Sequence, residues 1–322
     1  MQEDESDVHE RLAQHAEQYE IVRKLHEVPP HVTYEVRIDG KRAVCKRATS
    51  DEGDPAMEAR AMQFLERNTS VPVPHVLGVG SGHFVAEWND EVPEDGSVSV
   101  EGARTIGAGL ATLHDETYTT FESCLARFDS YGFLETRDGK LALDARGSWH
   151  EMVCDFLADR RDFLRDGGFD ADADAATDAL AFVREHPELL RGAGEPVLCH
   201  GNYVPDHVGR DEGEVTVVID FEHALVGPGE YDYWRTAIPT FMGPEGIDET
   251  LTGAFRTGYE SVRSLPPGFD RREAVYRLIT VVSFFRSLCL QRQQTGDEAT
   301  RTAARFRGYV DDLIDSIREE LA

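Results

Sequence analysis

Residues 199–208 read Cys199-His200-Gly201-Asn202-Tyr203-Val204-Pro205-Asp206-His207-Val208, a polar loop entered from the apolar stretch Pro196-Val197-Leu198-Cys199. Thirteen positions after His207, the run Thr216-Val217-Val218-Ile219 ends in Asp220, with Phe221-Glu222 behind it. Four consecutive apolar or β-branched residues read as a short strand. A carboxylate delivered to the end of such a strand adds nothing to packing and reads as a hard-cation ligand. The plainer alternative is a turn or helix-capping Asp. A chain built around this pair must bring a polar loop and a strand end to one place.

The flanking sequence divides in two. Residues 8–26 read as an amphipathic helix, with Val8, Leu12, Tyr19, Val22 and Leu25 near helical spacing, until Pro29-Pro30 breaks it. Residues 33–38 alternate as a strand, Asp39-Gly40 supplies a hairpin turn, and residues 42–46 return as a second strand. A strong helix is expected over Pro55–Asn68, followed by strand-like runs at 76–79 and 83–88. Residues 91–101 are polar and rich in Gly, Pro and Ser, as a hinge or linker would be. Beyond them helices are expected at 102–114, 149–166, 171–185, 271–293 and 299–321, with short strands and loops between Pro196 and Val218. The fold class is therefore α+β. A small strand-rich lobe (1–90), a linker (91–101) and a larger, mainly helical lobe (102–322) would leave a cleft between them.

Charge narrows the partners. The chain of 322 residues carries 61 acidic against 33 basic residues, a formal charge of −28, and only four of the basic residues are lysines. Without a basic stripe to neutralise phosphates, a nucleic-acid partner is excluded. An acidic surface spread along the chain suits high salt, where screening removes self-repulsion, and points to a halophile. Five scattered cysteines without CxxC spacing read as small buried residues of a reducing compartment. No apolar window is long enough to span a bilayer, and the acidic N-terminus precedes no signal-like segment. These readings give a cytoplasmic protein with no membrane partner; oligomeric state stays open.

Lys46 follows Val44 and Cys45 on the second hairpin strand, and Glu58 falls in the first turn of the helix twelve residues later. A strand Lys fixed by a helix Glu presents one ammonium to phosphates. Taken alone, a solvated edge Lys and a surface Glu would be the simpler account. His207 is either a second metal ligand or a structural residue, since Mg²⁺ prefers oxygen. His200 reads as half-buried and loop-ordering. Asp232, in Gly227-Pro228-Gly229-Glu230-Tyr231-Asp232, reads as a helix N-cap that also braces the loop.

In this order, Lys46, Glu58, Ala111-Thr112-Leu113-His114, His200-Gly201-Asn202, His207, Ile219-Asp220-Phe221-Glu222 and Asp232 resemble the aminoglycoside phosphotransferase family, similar in turn to choline-kinase-like and fructosamine-kinase-like enzymes. The likeness covers about residues 20–320. It implies a protein-kinase-like bilobal fold with ATP between the lobes and a small-molecule substrate against the helical lobe. It further implies that Lys46 holds the nucleotide phosphates, that His207 and Asp220 hold Mg²⁺, and that backbone groups of Glu87, Trp88 and Asn89 meet the adenine edge. Substrate choice would fall to helical-lobe residues such as Trp149, Tyr233, Trp234 and Arg286, which are equally plausible as core contacts.

Three departures follow. The family's catalytic Asp is replaced by Asn202, which cannot accept a proton. His207 stands where the family has Asn. The segment Glu27–Val32, which would cover the nucleotide, contains no glycine. Asp206 is the nearest carboxylate that could substitute as base, and Glu222 could approach from the metal strand. The sequence thus supports an ATP- and Mg²⁺-dependent kinase of a small hydroxyl- or amine-bearing metabolite. The alternatives are a pseudokinase that binds without transfer, or an acidic helical scaffold that binds no nucleotide.

Overall fold

In the computed structural model, residues 2–124, 130–243, 246–291, 293, 294 and 296–322 are described. The chain begins with helix α1 (Gln2–Leu12) and continues into strands β1 (Tyr19–Val28), β2 (His31–Ile38) and β3 (Lys41–Ala48), helix α2 (Pro55–Asn68), and strands β4 (Val76–Gly80) and β5 (His83–Glu87). The five strands form an antiparallel sheet in the order β1-β2-β3-β5-β4.

The expected helix over 8–26 is therefore corrected: it ends at Leu12, and Tyr19–Val28 is an edge strand. The physical reason lies in two bulges, between Ile21 and Arg23 and between Lys24 and His26. Each bulge shifts the side-chain alternation by one residue. The partly buried positions consequently fall at Tyr19, Ile21, Leu25 and Val28, intervals that imitate a helix.

The β2–β3 hairpin turns on Asp39 (φ 50°) and Gly40 (φ 80°), two left-handed residues of the kind that match the twist of paired strands. Side chains alternate across β3. Ala43 and Cys45 enter a small core with Val32, Tyr34, Val36, Val85 and, from α1, Val8 and Leu12. Lys46 accordingly points to the other face, where α2 packs. Helix α2 starts where Asp54 Oδ1 accepts the Met57 N–H at 3.0 Å, with Pro55 in the first turn.

Helix α3 (Val100–Cys124) leads to a hairpin of β6 (Tyr131–Arg137) and β7 (Lys140–Arg146) that the helical reading of this region missed. Its signal was present: Asp138 (φ 53°) and Gly139 (φ 69°) make the same kind of turn as Asp39-Gly40. Helices α4 (Trp149–Asp166) and α5 (Asp170–Glu185) follow. Then come β8 (Pro196–Cys199), β9 (Val208–Asp211), β10 (Glu214–Val218) and β11 (Leu225–Pro228). A four-stranded sheet runs β7-β6-β11-β8, and β9 pairs with β10. Helices α6 (Gly229–Phe241), α7 (Glu249–Glu260), α8 (Glu273–Gln291) and α9 (Gly296–Leu321) complete the C-terminal part.

A strand-rich N-terminal region thus precedes a largely helical one, as a bilobal kinase-like fold requires. One large apolar core runs from α2, β4 and β5 into α3, α4, α6 and α8. Cys45, Cys154 and Cys199 are free and buried within the protein. No helix among the described residues is long and apolar enough to cross a membrane.

Candidate active site

Lys46, from β3, is the centre of a buried charge cluster. Its Nζ lies 2.5 Å from Asp220 Oδ1, 2.8 Å from Glu58 Oε2 and 3.0 Å from Glu222 Oε2. Glu58 arrives from the first turn of α2, and Asp220 and Glu222 from the chain leaving β10. Asp220 adopts a left-handed backbone (φ 70°), which is uncommon for a non-glycine residue. That conformation turns the chain out of the strand and lets residues two apart contribute carboxylates to the same ammonium.

One cation among three carboxylates leaves excess negative charge. Burial alone would depress the Lys46 ammonium, but Asp220, Glu58 and Glu222 hold its pKa well above the ordinary value. Burial also dominates at Glu58, whose carboxyl is pushed up to about 8 against the attraction of Lys46, with Asp220 and Glu222 adding to the upward push. Asp220 is shifted down: burial opposes this, and the charges of Lys46 and His207 overcome it. The three carboxylates present oxygen atoms all within 4.8 Å of one another. Such a set suits a hard divalent cation, which would balance the excess charge.

Three histidines surround the cluster. His31 Nδ1 lies 2.7 Å from Glu222 Oε2, and His223 Nε2 lies 3.4 Å from Glu222 Oε1. His207 Nδ1 is 2.9 Å from the Asn202 carbonyl oxygen, so that nitrogen carries the proton. Its Nε2 then faces Asp220 Oδ2 at 3.3 Å. His31, at the start of β2, carries no sequence signal, because its partner Glu222 lies nearly two hundred residues on and only the fold brings them together. Glu222 was noticed as a carboxylate near the metal strand; the structure places it in contact with Lys46.

The loop 199–208 is fixed from beneath. Asp232 lies inside the first turn of α6, whose N-cap is Pro228, so the N-cap reading of Asp232 is corrected. Its carboxylate accepts the backbone N–H groups of His200 (2.6 Å) and Gly201 (2.8 Å), and contacts His114 Nε2 at 3.1 Å. Gly201 has φ +76°, and a Cβ there would stand 2.2 Å from the His223 carbonyl oxygen, so only glycine fits. His200 is fully buried, deeper than the half-buried position expected. Its Nε2 donates to the Ile219 carbonyl (2.9 Å) and its Nδ1 accepts the Asn202 N–H (3.2 Å). Burial pushes its pKa down to about 4, keeping the ring neutral.

The chain belongs to the phosphotransferase enzyme family. Residues 31–275 match the family as a whole, a span that takes in Lys46, Glu58, the braced loop and Asp220. No curated protein matches the sequence. Among solved structures, this phosphotransferase family member is similar to a candidate fructosamine-3-kinase from Thermobifida fusca, at 21% identity over 94% of this chain and 97% of that one (TM-score 0.60). It is also similar to a thermostable mutant of aminoglycoside phosphotransferase APH(4)-Ia in a ternary complex with ADP and hygromycin B. There the identity is 16% over 95% and 97% of the two chains (TM-score 0.64). A candidate fructosamine-3-kinase from Haemophilus somnus gives 15% identity over 95% and 96% (TM-score 0.64). At these identities the likeness establishes the fold.

Other sequence-expected residues of this phosphotransferase lie outside the cluster. Asp206 is exposed, and its carboxyl faces the loop at Gly96, about 3.9 Å from where a side chain there would begin. Glu87 ends β5 and Trp88 follows it, with their N–H groups already bonded to the His75 carbonyl (2.9 Å) and the Arg42 carbonyl (3.3 Å). The Trp88 ring stacks under the Arg42 guanidinium at 3.9 Å, and Asn89 Oδ1 accepts the Glu91 N–H at 2.8 Å. Trp149, Tyr233 and Trp234 are core residues: Trp149 Nε1 donates to the Tyr276 hydroxyl (3.2 Å), and Tyr233 and Trp234 pack on Phe269. Arg286 alone of that group lines a cavity beside Glu222.

Proposed function

We propose that this protein transfers the γ-phosphoryl group of ATP to a hydroxyl or amine of a small metabolite. The observation that carries this reading is Lys46 Nζ held simultaneously by Glu58, Asp220 and Glu222 at 2.5–3.0 Å. Such an ammonium, fixed by a helix Glu beside strand-end carboxylates, is the arrangement phosphoryl transfer uses to hold a nucleotide. The ADP and hygromycin B bound by the APH(4)-Ia relative support a nucleotide and a small acceptor here as well.

Asp220, Glu222 and His207 would hold Mg²⁺, which would neutralise charge on the phosphates. Lys46 would bind the same phosphates, Glu58 would keep Lys46 in place, and Asp232 with His200 would keep the loop shaped for the acceptor. Asn202 takes the position of the catalytic base, and its amide accepts no proton. Transfer then relies on positioning and charge rather than on a base, consistent with loose phosphoryl-transfer transition states.

The same Asn202 favours one second reading, binding of nucleotide without efficient transfer. ATP consumption is measured over a panel of sugars, amino alcohols and glycated amines, at low salt and in molar KCl. Turnover with one acceptor, lost in Asp220→Ala, is the expected result. Mg-ATP binding with no turnover on any acceptor supports the second reading and overturns the first. Asn202→Asp is expected to raise kcat, by up to about 10²–10⁴-fold if base catalysis is all that is missing.

A further inference from the structure

Beside the carboxylate cluster lies a cavity of about 250 Å³ bounded by Pro30 and His31 of the β1–β2 turn, Arg160 of α4, His223, and Arg286 and Ser287 of α8. Arginine is the unusual ingredient. In a chain with 61 acidic residues, three guanidinium groups converge from three helices: Arg160, Arg286 and, just behind, Arg235 of α6. Each lies against an aromatic ring, Arg160 over Phe156 (3.6 Å), Arg286 over Phe163 (4.9 Å) and Arg235 over Phe284 (5.0 Å). A guanidinium held over a ring keeps its charge in place while its N–H groups stay able to hydrogen-bond.

That edge is incompletely used. Among the described residues, Arg160 Nε, Arg286 Nε and Arg235 Nη1 are buried and have no hydrogen-bond partner. Unpaired donors of a buried cation are costly, and a nearby anion offsets that cost through its charge even where the atoms themselves are closed to solvent. Acidic groups line the cavity too, and two of them pair with the arginines. Glu52 and Asp159 pair with Arg286 and Arg160 from the rim, being 43% and 60% exposed, so solvent screens them. Asp54 is occupied in capping α2, and Glu222 by Lys46 and His31. Burial, together with the like charges of Arg286 and Arg235, pushes the Arg160 pKa down to about 10, despite the opposing pull of Asp159. Arg235 Nε also donates to the Gly201 carbonyl at 3.1 Å, tying the basic group to the residue before Asn202.

We propose that this cavity is the acceptor pocket and that it selects a small polyhydroxylated anion, bearing a carboxylate or phosphate, over neutral or cationic acceptors. This rests on the phosphotransferase reading above. The carboxylate or phosphate lies against the Arg160 and Arg286 guanidiniums that line the cavity, while a hydroxyl of the same molecule lies toward Asn202 and Asp220. A polycationic acceptor would place ammonium groups against the two guanidiniums that line the cavity, which like-charge repulsion disfavours.

The test is isothermal titration of one carbon skeleton in several charge states: gluconate, glucose 6-phosphate, glucose and glucosamine. Nucleotide is absent and ionic strength is fixed. At least one of the two anions is expected to bind tenfold or more tightly than glucose, with glucosamine weakest. Arg286→Gln and Ser287→Asp, which respectively remove a positive and add a negative charge at the cavity wall, are each expected to reduce that preference about tenfold. Both variants are checked for wild-type melting. Equal or tighter binding of glucose or glucosamine, an anion preference untouched by both substitutions, or no binding of any of the four overturns the proposal. Because no transfer is involved, anion binding by a protein that never consumes ATP would sink the kinase reading, and with it the acceptor role, while leaving the anion selectivity of the cavity standing. Phosphorylation of a neutral or cationic acceptor, with no anion bound, would do the reverse.

Discussion

Lys46 and Glu58 are partners of unequal worth to the fold. Removing Lys46 leaves the Asp220 and Glu222 carboxylates without their cation, so Lys46→Met is expected to destabilise the protein by about 3–5 kcal/mol at pH 7 in urea titrations. Glu58→Gln removes a carboxyl whose pKa already stands at about 8, and is expected to cost under about 1 kcal/mol while weakening Mg-ATP binding. His200 makes a prediction of opposite origin. Its pKa falls from 6.5 in the unfolded chain to about 4 in the fold, so the unfolded chain takes up the proton first. The corresponding stability is fully present above pH 6.5 and is lost as pH falls toward 4. Between pH 6.5 and 5 the loss is about 2 kcal/mol, and His200→Gln should remove that portion of the pH slope. At this scale the sequence was informative where chemistry is tied to spacing: Lys46, Glu58, His207 and Asp220 meet. It was silent about Arg160, Arg235 and His31, because nothing in local order shows that three helices and a turn converge.

At the scale of elements, legibility followed the regularity of the side-chain pattern. Helix α2 has a capping Asp, a first-turn Pro and closely spaced small and apolar residues, and its bounds Pro55–Asn68 were readable directly. Strand β1 was not, because its two bulges counterfeit a helical period. The β6–β7 hairpin carries an Asp-Gly turn but lies among helices, and context suppressed it. Helix α1 anchors through few residues, with Val8 and Leu12 fully buried against the sheet. Leu12→Ala is expected to cost about 2–5 kcal/mol in chemical denaturation. Asp232→Ala acts between elements: it strips acceptors from two loop N–H groups and from His114, each worth about 1–3 kcal/mol when buried and unpaired. Turnover should fall with stability in that variant, whereas Asp220→Ala, which leaves Glu58 and Glu222 on Lys46, should lose turnover with a smaller loss of stability.

For the whole molecule, a formal charge of −28 makes self-repulsion a global opponent of compactness. The urea midpoint is therefore expected to rise as KCl increases from 0.1 to about 2 M, since the screening length shortens from about 10 Å to below 3 Å. A midpoint independent of KCl would show that the acidic surface exerts no net strain on the fold. The apolar interior has its own consequence. Because α2, β4 and β5 share one continuous core with α3, α4, α6 and α8, the strand-rich part has no separate interior on that side to fall back on. Heat should melt the two parts together, as a single calorimetric transition. Any domain motion that admits nucleotide must then be a sliding of packed side chains over one another, a shear, and its amplitude is bounded by how far a close-packed interior yields.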